Sequence, residues 1–176
     1  YAVKNSIPTV VATTGHTDEE LEYIRNAGEK IAVFHSANMS LGVALLCELA
    51  VKAAATMPDA DIEIVETHHN RKLDAPSGTA LMIADEIASV LPEEVDYETN
   101  RAAKREKRPV NEIGIHAVRA GTIVGEHEVI FGGPDEVIKI SHHAASRKIF
   151  ANGALNAAAF LAGKPAGKYS MKDLIG

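Results

Sequence analysis

Alternating apolar and polar residues divide the start of the chain into a strand, a helix and a second strand. Residues 8–15, PTVVATTG, are a β-branched run that ends in a threonine–glycine turn, and residues 31–38, IAVFHSAN, are a second strand candidate. Between them Thr17 and Glu20 have the spacing of a capping box, which predicts a helix over residues 18–27. This order of elements indicates a parallel α/β unit.

The next segments have the periodicity of two helices with a strand between them. Residues 40–57 are apolar on almost every face, which predicts a helix buried between layers. Residues 61–69 alternate as a strand, and apolar residues then recur at three- and four-residue spacing up to Leu91. This second helix is expected to begin at residues 77–79.

The second half of the chain has the pattern of three strands followed by a helix. Residues 113–120, 122–131 and 136–144 are separated by glycine-containing turns, so we expect an antiparallel meander. The small-residue-rich tail, 147–164, predicts another buried helix. A cationic run at 100–109 has no apolar anchors and is expected to be a solvated loop.

Composition narrows the possible classes of protein. The 176 residues are 46% hydrophobic and 24% charged, which are globular values, and no apolar run is long enough to cross a bilayer. The net charge of −6 argues against a general nucleic-acid binder, although a local cationic pocket stays possible. The single cysteine, Cys47, lies in an apolar run, which favours a buried thiol and a reducing, cytoplasmic location.

A pair of histidines, His68 and His69, stands at the end of the strand at 61–69. Neighbouring side chains on a strand point to opposite faces, so the two converge only if the strand ends there. Zinc is one alternative and a structural role is another, because four further histidines follow: His116, His127, His142 and His143. Positive charge near the same motifs, from Lys72, Arg147 and Lys148, disfavours a metal ion.

Lys72 and the PSGT segment suggest anion chemistry near the histidine pair. A histidine beside an ammonium group supplies a proton donor and an electrostatic clamp for developing negative charge. The alternative for Lys72 is an ordinary surface lysine. In PSGT, Ser77 can cap the helix, Gly78 leaves room for a ligand and Thr79 offers a hydroxyl. On this segment alone, a site for a carboxylate or phosphate and a helix that is simply well capped are equally good interpretations.

Two short segments, ATTG at 12–15 and SANMS at 36–40, end the first two strand candidates. The carboxyl ends of strands are where open α/β sheets bind ligands. The chain contains no G-x-G-x-x-G sequence. The pattern alone therefore allows a nucleotide site but does not predict one.

These motifs resemble those of the dihydrodipicolinate reductase family, also called 4-hydroxy-tetrahydrodipicolinate reductases, of the diaminopimelate route to lysine. The block of the histidine pair followed by APSGTA is highly specific. The resemblance extends over essentially the whole chain, through ATTG, SANMSLGV, IEIVETHHNRKLDAPSGTA, HAVRAGTIVGEHEVIF, ISHHAASRKIFANGA and GKYSMKDL.

The resemblance implies an α/β fold with two domains. Residues 1–39 and 148–176 would be the last part of a Rossmann-like nucleotide-binding domain, and residues 40–147 an α+β substrate-binding and tetramerisation domain with an open mixed sheet. The family begins with a glycine-rich phosphate loop that this sequence lacks. Since the chain starts at Tyr1, we expect a piece of a longer protein that forms a cytoplasmic homotetramer.

The resemblance also implies roles for individual residues. His68 would be the catalytic proton donor with Lys72 as its partner. The two carboxylates of the substrate would be held by His69, Lys72, Ser77, Gly78, Thr79 and Arg147. The nicotinamide of NADH or NADPH would contact Ala12, Thr13, Thr14, Ser36, Ala37, Asn38 and Met39, where Ala12 replaces a glycine of many members.

The implied reaction is hydride transfer from NADH or NADPH to a cyclic imine dicarboxylate, followed by protonation of the adjacent carbon by His68. No metal, nucleic acid or membrane partner is expected. Two alternatives come from other classes: an oligomeric dicarboxylate-binding module that does not turn over because the phosphate loop is absent, and a metallohydrolase that uses the histidines.

Overall fold

A computed structural model describes every residue from Tyr1 to Gly176. The chain forms two compact units: a terminal unit of residues 1–44 and 147–176, and a central unit of residues 45–146. The functional roles expected for the two domains stay predictions.

The terminal unit contains a three-stranded parallel sheet in the order β1-β2-β8. Its core packs Phe34 of β2 against Ala157 and Leu161 of α4. Strand β8 and helix α5 follow the predicted helix at 147–164 and were not predicted. The elements are a 3₁₀ helix at Val3–Asn5, β1 (Thr9–Val11), α1 (Asp18–Ala27), β2 (Ala32–His35), α2 (Leu41–Thr56, which continues into the central unit), α4 (Lys148–Leu161), β8 (Gly167–Tyr169) and α5 (Met171–Ile175).

The predicted start of α1 is confirmed at atomic detail. The Thr17 hydroxyl accepts a hydrogen bond from the Glu20 amide at 3.3 Å, and the Glu20 carboxylate accepts one from the Thr17 amide at 2.8 Å. The reciprocal pair satisfies two amide groups that the first turn of a helix leaves without partners.

The central unit is built on a five-stranded mixed sheet in the order β4-β5-β3-β6-β7. Strands β4, β5 and β3 run parallel, whereas β6 is antiparallel to β3 and β7 is antiparallel to β6. The elements are β3 (Asp61–His68), α3 (Gly78–Ala88), β4 (Asp96–Glu98), a 3₁₀ helix at Arg101–Ala103, β5 (Glu112–Arg119), β6 (Glu126–Gly132) and β7 (Val137–His143).

The prediction of an antiparallel meander was wrong for its first strand. Strand β3 lies between β5 and β6, so the segment 113–120 does not pair with the segment 122–131. The turn at Gly121 therefore crosses over β3 instead of closing a hairpin. Only β6 and β7 form the expected antiparallel neighbours. The position of β3 was not predicted, because pairing between distant strands leaves no local signal in the sequence.

The two helices expected to be buried on all sides each bury one face. In α2, Val43, Leu46 and Ala50 are buried, but Leu45 is 51% exposed. In α4, Leu155 is 69% exposed. A continuous apolar run thus does not show which face of a helix packs against the rest of this chain and which face stays exposed. Cys47 is buried, as predicted.

The cationic run at 100–109 is not simply a solvated loop. Arg101 pairs with the buried Glu112, and Lys104 pairs with Glu98. Arg108 donates to Glu63 at 3.0 Å and to Asp61 at 2.8 Å. The run carries cations that neutralise acidic residues of the sheet. The partners of Arg108 lie 45 and 47 residues away, too far along the chain to be recognised from local charge.

Candidate active site

Strand β3 carries the predicted proton donor at its carboxyl end. Side chains at every second position of β3 are buried, and this row ends in Glu66 and His68. A strand repeats its side-chain direction every two residues, so both side chains project from the same face of the sheet. Glu66 is completely buried, and His68 is 9% exposed.

The carboxylate of Glu66 holds three groups together. One oxygen, Oε2, lies 2.6 Å from Nδ1 of His68 and accepts from Nη1 of Arg119 at 2.7 Å. The other oxygen, Oε1, accepts from Nη2 of Arg119 at 2.8 Å and from the amide of Ser77 at 3.0 Å. Burial by itself would raise the pKa of Glu66, but the hydrogen bonds from Arg119, His68 and Ser77 outweigh it and lower the pKa.

A second buried histidine, His127 of β6, lies against the first. The two rings meet edge to face with their centroids 5.3 Å apart. Nε2 of His127 lies 3.2 Å from the hydroxyl oxygen of Ser77. Burial, together with the nearby His68, lowers the pKa of His127 to about 4, so this ring is neutral at neutral pH.

Lys72 lies on the connection between β3 and α3. Its ammonium group donates to both carboxylate oxygens of Asp74, at 2.9 and 2.8 Å. The hydrogen bond from Lys72 lowers the pKa of Asp74. The Lys72 side chain is 20% exposed and that of Asp74 is 61% exposed, so water reaches this ion pair.

The start of α3 has the predicted cap. The Ser77 hydroxyl accepts from the amide of Ala80 at 3.1 Å. Gly78 is the first residue of the helix, and no atom lies within 4 Å of the position that a β-carbon would occupy there. The helix therefore begins with a positive end and an unobstructed approach, which is the arrangement that an anion needs.

The central unit brings five predicted residues onto one short segment, and the sixth belongs to the terminal unit. His69, Lys72, Ser77, Gly78 and Thr79 all follow β3 within the connection to α3 or in its first turn. Arg147 is the exposed N-cap residue of α4. Its role toward the substrate stays a prediction.

Sequence reasoning missed Glu66 and Arg119, and it considered His127 only as a zinc ligand or a structural histidine. A signal for Glu66 was present, because an acidic residue two positions before His68 must share its face of the strand. Arg119 and His127 join the site only through the pairing of β5 and β6 with β3.

The residues predicted to contact the nicotinamide lie after two neighbouring parallel strands. Ala12, Thr13 and Thr14 follow β1, and residues 36–39 follow β2. The second loop is well defined: the Ser36 hydroxyl donates to the Asn38 carbonyl at 3.0 Å, and the Asn38 side chain accepts from the Ser40 amide at 2.8 Å. Loops at the carboxyl ends of parallel strands are where open α/β sheets bind ligands. The contact of these residues with a nicotinamide stays a prediction.

The histidines do not gather into a metal site. The structure contains no group of three or more histidine, cysteine, aspartate or glutamate side chains that could hold an ion. His116 lies 2.7 Å from Glu63, and His143 lies 2.7 Å from Glu126. Glu63 occupies the other face of β3 from His68, so the contact of His116 is separate from the cluster around His68.

Comparisons with known proteins agree with the site. The family description "Dihydrodipicolinate reductase, N-terminus" matches residues 1–39, and "Dihydrodipicolinate reductase, C-terminus" matches residues 42–175. The 4-hydroxy-tetrahydrodipicolinate reductase of Caldanaerobacter subterraneus is 59% identical over 174 residues, which cover 99% of this chain and 69% of the relative. The reductase of the same name from Clostridium tetani is 48% identical with the same coverage.

A solved structure shares the fold. The dipicolinate-bound dihydrodipicolinate reductase from Paenisporosarcina sp. TG-14 superposes with a TM-score of 0.78 at 30% identity. The match covers 96% of this chain and 64% of that protein's chain, so the sequence spans about two thirds of these relatives.

The parallel sheet, the mixed sheet with its acid–base cluster and these matches define a reductase of the pyridine-nucleotide-dependent class. More specifically, the chain belongs to the dihydrodipicolinate reductase family. The resemblance seen in the sequence is confirmed. None of the helices has both the length and the apolar character needed to cross a membrane.

Proposed function

We propose that this chain carries the substrate site of a 4-hydroxy-tetrahydrodipicolinate reductase, which reduces a cyclic imine dicarboxylate with NADH or NADPH on the diaminopimelate route to lysine. The observation that carries the proposal is a buried histidine at the end of β3, hydrogen bonded to Glu66 and followed within ten residues by the capped, open start of α3. Relatives with that name share 45–59% of the residues in this chain.

Two anion-binding groups suit the two carboxylates of such a substrate. The first is the start of α3, where Gly78 leaves the approach open and Thr79 adds a hydroxyl. The second is Lys72, whose exposed pair with Asp74 is weak enough for a substrate carboxylate to replace it. His69 and Arg147 would complete the site. The relative from Paenisporosarcina, described as dipicolinate bound, supports this ligand class.

His68 is the proton donor in the proposal. Its Nδ1 faces Glu66, so Nε2 is the nitrogen that would deliver a proton to the carbon beside the one that receives the hydride. Lys72 and the start of α3 would stabilise negative charge on the substrate carboxylates during this step. A bound nicotinamide supplies the hydride, and Ala12–Thr14 and Ser36–Met39 would hold its ring.

We further propose that the protein is a cytoplasmic homotetramer. The open sheet of the central unit leaves β7 as an edge strand, with Val137 59% exposed and Ile138 38% exposed. Exposed apolar edges favour association because pairing or packing removes them from water. Light scattering of the intact protein should give four times the monomer mass, and a monomer at working concentration would contradict this part of the proposal.

The activity is tested by following nicotinamide absorbance in the intact protein when the cyclic imine dicarboxylate is added. We expect oxidation of NADH or NADPH that requires this substrate and is unchanged by a metal chelator. Dicarboxylate binding without oxidation of either nucleotide would favour the binding module. Hydrolysis that needs a metal ion, without oxidation of either nucleotide, would favour the hydrolase.

A further inference from the structure

We propose that Glu66 is a positioning residue that fixes the ring of His68 with its proton on Nδ1, so that Nε2 alone exchanges a proton with the substrate. The inference rests on the proposed role of His68. It adds a residue that has no predicted contact with substrate or cofactor and acts only through the histidine.

Several hydrogen-bond donors meet at Glu66. Its two oxygens receive two hydrogen bonds from Arg119 and one from the Ser77 amide, besides the contact with His68. The side chain has no exposed surface. A buried carboxylate with this many charge-assisted bonds cannot rotate without breaking several of them, so it is a rigid reference for the imidazole ring.

The charge of Glu66 determines which atom donates in its contact with His68. Burial would raise its pKa, but hydrogen bonds from Arg119 and His68 lower it overall, so the carboxylate is ionised at neutral pH. An ionised carboxylate has no proton to give. The 2.6 Å contact therefore requires that Nδ1 of His68 is the donor, and this assigns the tautomer of the neutral ring.

The other ring nitrogen of His68, Nε2, lies beside Gly125. A β-carbon at Gly125 would lie 3.1 Å from Nε2 of His68, closer than side chains normally pack. The backbone of Gly125 is held in place because its carbonyl accepts from the Ala144 amide at 2.9 Å. The absence of a side chain at this position keeps the proton-delivering nitrogen uncrowded.

The proton balance is simple. In the charged ring both nitrogens carry hydrogen; the Nε2–H bond breaks as the carbon–hydrogen bond of the product forms, and the ring becomes neutral. The Nδ1–H to Glu66 contact is the same before and after. Because nothing at Glu66 rearranges during transfer, the step avoids a reorganisation cost.

Arg119 connects Glu66 and His68 to the segment that is proposed to bind the substrate. Besides holding Glu66, its Nη2 donates to the backbone carbonyl of Asp74 at 2.7 Å. The same guanidinium therefore ties the histidine's carboxylate to the connection that carries Lys72. Arg119 also offsets the burial of the negative charge, which would otherwise favour the protonated acid.

The chain contains a matched control for Glu66. Glu63, on the other face of the same strand, also contacts a histidine at 2.7 Å, His116, and an arginine at 3.0 Å, Arg108. Both sites have the same three residue types, but only the first includes the proposed proton donor. A general effect of losing a carboxylate on β3 should appear in both variants.

The test is NMR of the imidazole nitrogens of His68 in the intact protein, assigned with His68→Gln, together with steady-state kinetics of Glu66→Gln and Glu63→Gln. In the wild type we expect the neutral ring of His68 to carry its proton on Nδ1. In Glu66→Gln this preference should be lost and kcat should fall by roughly 10²-fold with KM changed less than about threefold, a share of the 10²–10⁴ that a general acid supplies. Glu63→Gln should change neither.

A wild-type ring protonated on Nε2 would overturn the inference, as would an unchanged kcat in folded Glu66→Gln. If Glu66→Gln does not fold, the wild-type tautomer still decides, and Gly125→Ala should lower kcat in a folded protein by crowding Nε2. Failure of the proposed function looks different: the wild type would then oxidise neither nucleotide, and if only the role of His68 is wrong, His68→Gln would keep full turnover whichever tautomer is observed.

Discussion

The central and terminal units position their predicted ligand-binding groups in different ways. In the central unit, buried charged side chains hold the site: Glu66 and Arg119 fix His68, and Ser77 contacts both Glu66 and His127. In the terminal unit, close backbone packing holds the loop at 36–39, because Met39 is buried and its carbonyl lies directly over Gly153 of α4.

This difference predicts which changes each unit resists. A network of buried polar groups is sensitive to lost charge and to pH, since a group that loses its partner keeps its desolvation cost. A loop held by close contact is sensitive to added volume, since a packed backbone has no room to move. Substitutions that remove a polar group from the central unit, or add volume to the terminal unit, therefore test the comparison.

The largest expected effect is on turnover, from His68→Gln in the central unit. The substitution removes the proposed proton donor, so turnover should fall by roughly 10²–10⁴ while NADH affinity barely changes. Steady-state kinetics and a nucleotide titration measure the two quantities. His143→Gln, at an exposed histidine of β7, is the control. An unchanged turnover number in His68→Gln would remove this residue from the mechanism.

The next effect is the pH dependence of stability due to His127. Its pKa in the folded protein is about 4, below the ordinary value of 6.5, so the unfolded chain binds more protons between these values. The stabilisation is complete above about pH 6.5 and is lost as the pH falls toward 4, with an upper limit of about 3 kcal/mol. Urea unfolding across this range should show a shallower slope for His127→Gln than for the wild type or His143→Gln. Parallel slopes in all three would contradict the burial of a neutral ring.

The terminal unit should respond most to volume at Gly153. A β-carbon there would lie 1.6 Å from the Met39 carbonyl oxygen, so Gly153→Ala must displace the loop at 36–39. We expect a loss of about 1–3 kcal/mol in the free energy of unfolding, and weaker NADH binding. Asn156→Ala, on the exposed side of the same helix, should change neither. Wild-type stability of Gly153→Ala would show that the loop is not held by this contact.

The smallest effect concerns the exposed pair of Lys72 and Asp74. If a substrate carboxylate replaces Asp74, then Asp74→Asn removes a competitor and should tighten dicarboxylate binding by up to about fivefold, the value of an exposed ion pair. The gain should shrink as salt is raised. Calorimetry of Asp74→Asn beside Asp135→Asn, an exposed aspartate in the turn before β7, makes the comparison. Weaker binding would mean that Asp74 holds Lys72 in its working position.

Local signals predicted most of the elements and the main candidate segment. The capping box of Thr17 and Glu20, the alternation of β3 and the cap at Ser77 act within a few residues, so the sequence shows them directly. The segment from His68 to Thr79 could be recognised because its residues are close in the chain.

Features that depend on long-range pairing could not be predicted in this way. Insertion of β3 between β5 and β6 brings Arg119 and His127 to Glu66 from 53 and 61 residues away, and no local pattern encodes that order. The ion pairs of Arg108 with Asp61 and Glu63 were missed for the same reason. The exposed faces of α2 and α4 show a second limit: apolar composition does not predict which residues of a helix are buried within this chain.

The central claim, a site for two carboxylates, is tested most directly by titrating pyridine-2,6-dicarboxylate and its mono-acid analogue into the intact protein. Wild type should bind the dicarboxylate clearly more tightly than the mono-acid. Lys72→Ala and Arg147→Ala should each cost about 1.5–3 kcal/mol of dicarboxylate binding, since each removes a charge-assisted contact, whereas Arg71→Ala, at the exposed neighbour of Lys72, should cost little. Equal binding of the two acids, or silent substitutions at Lys72 and Arg147, would contradict the account.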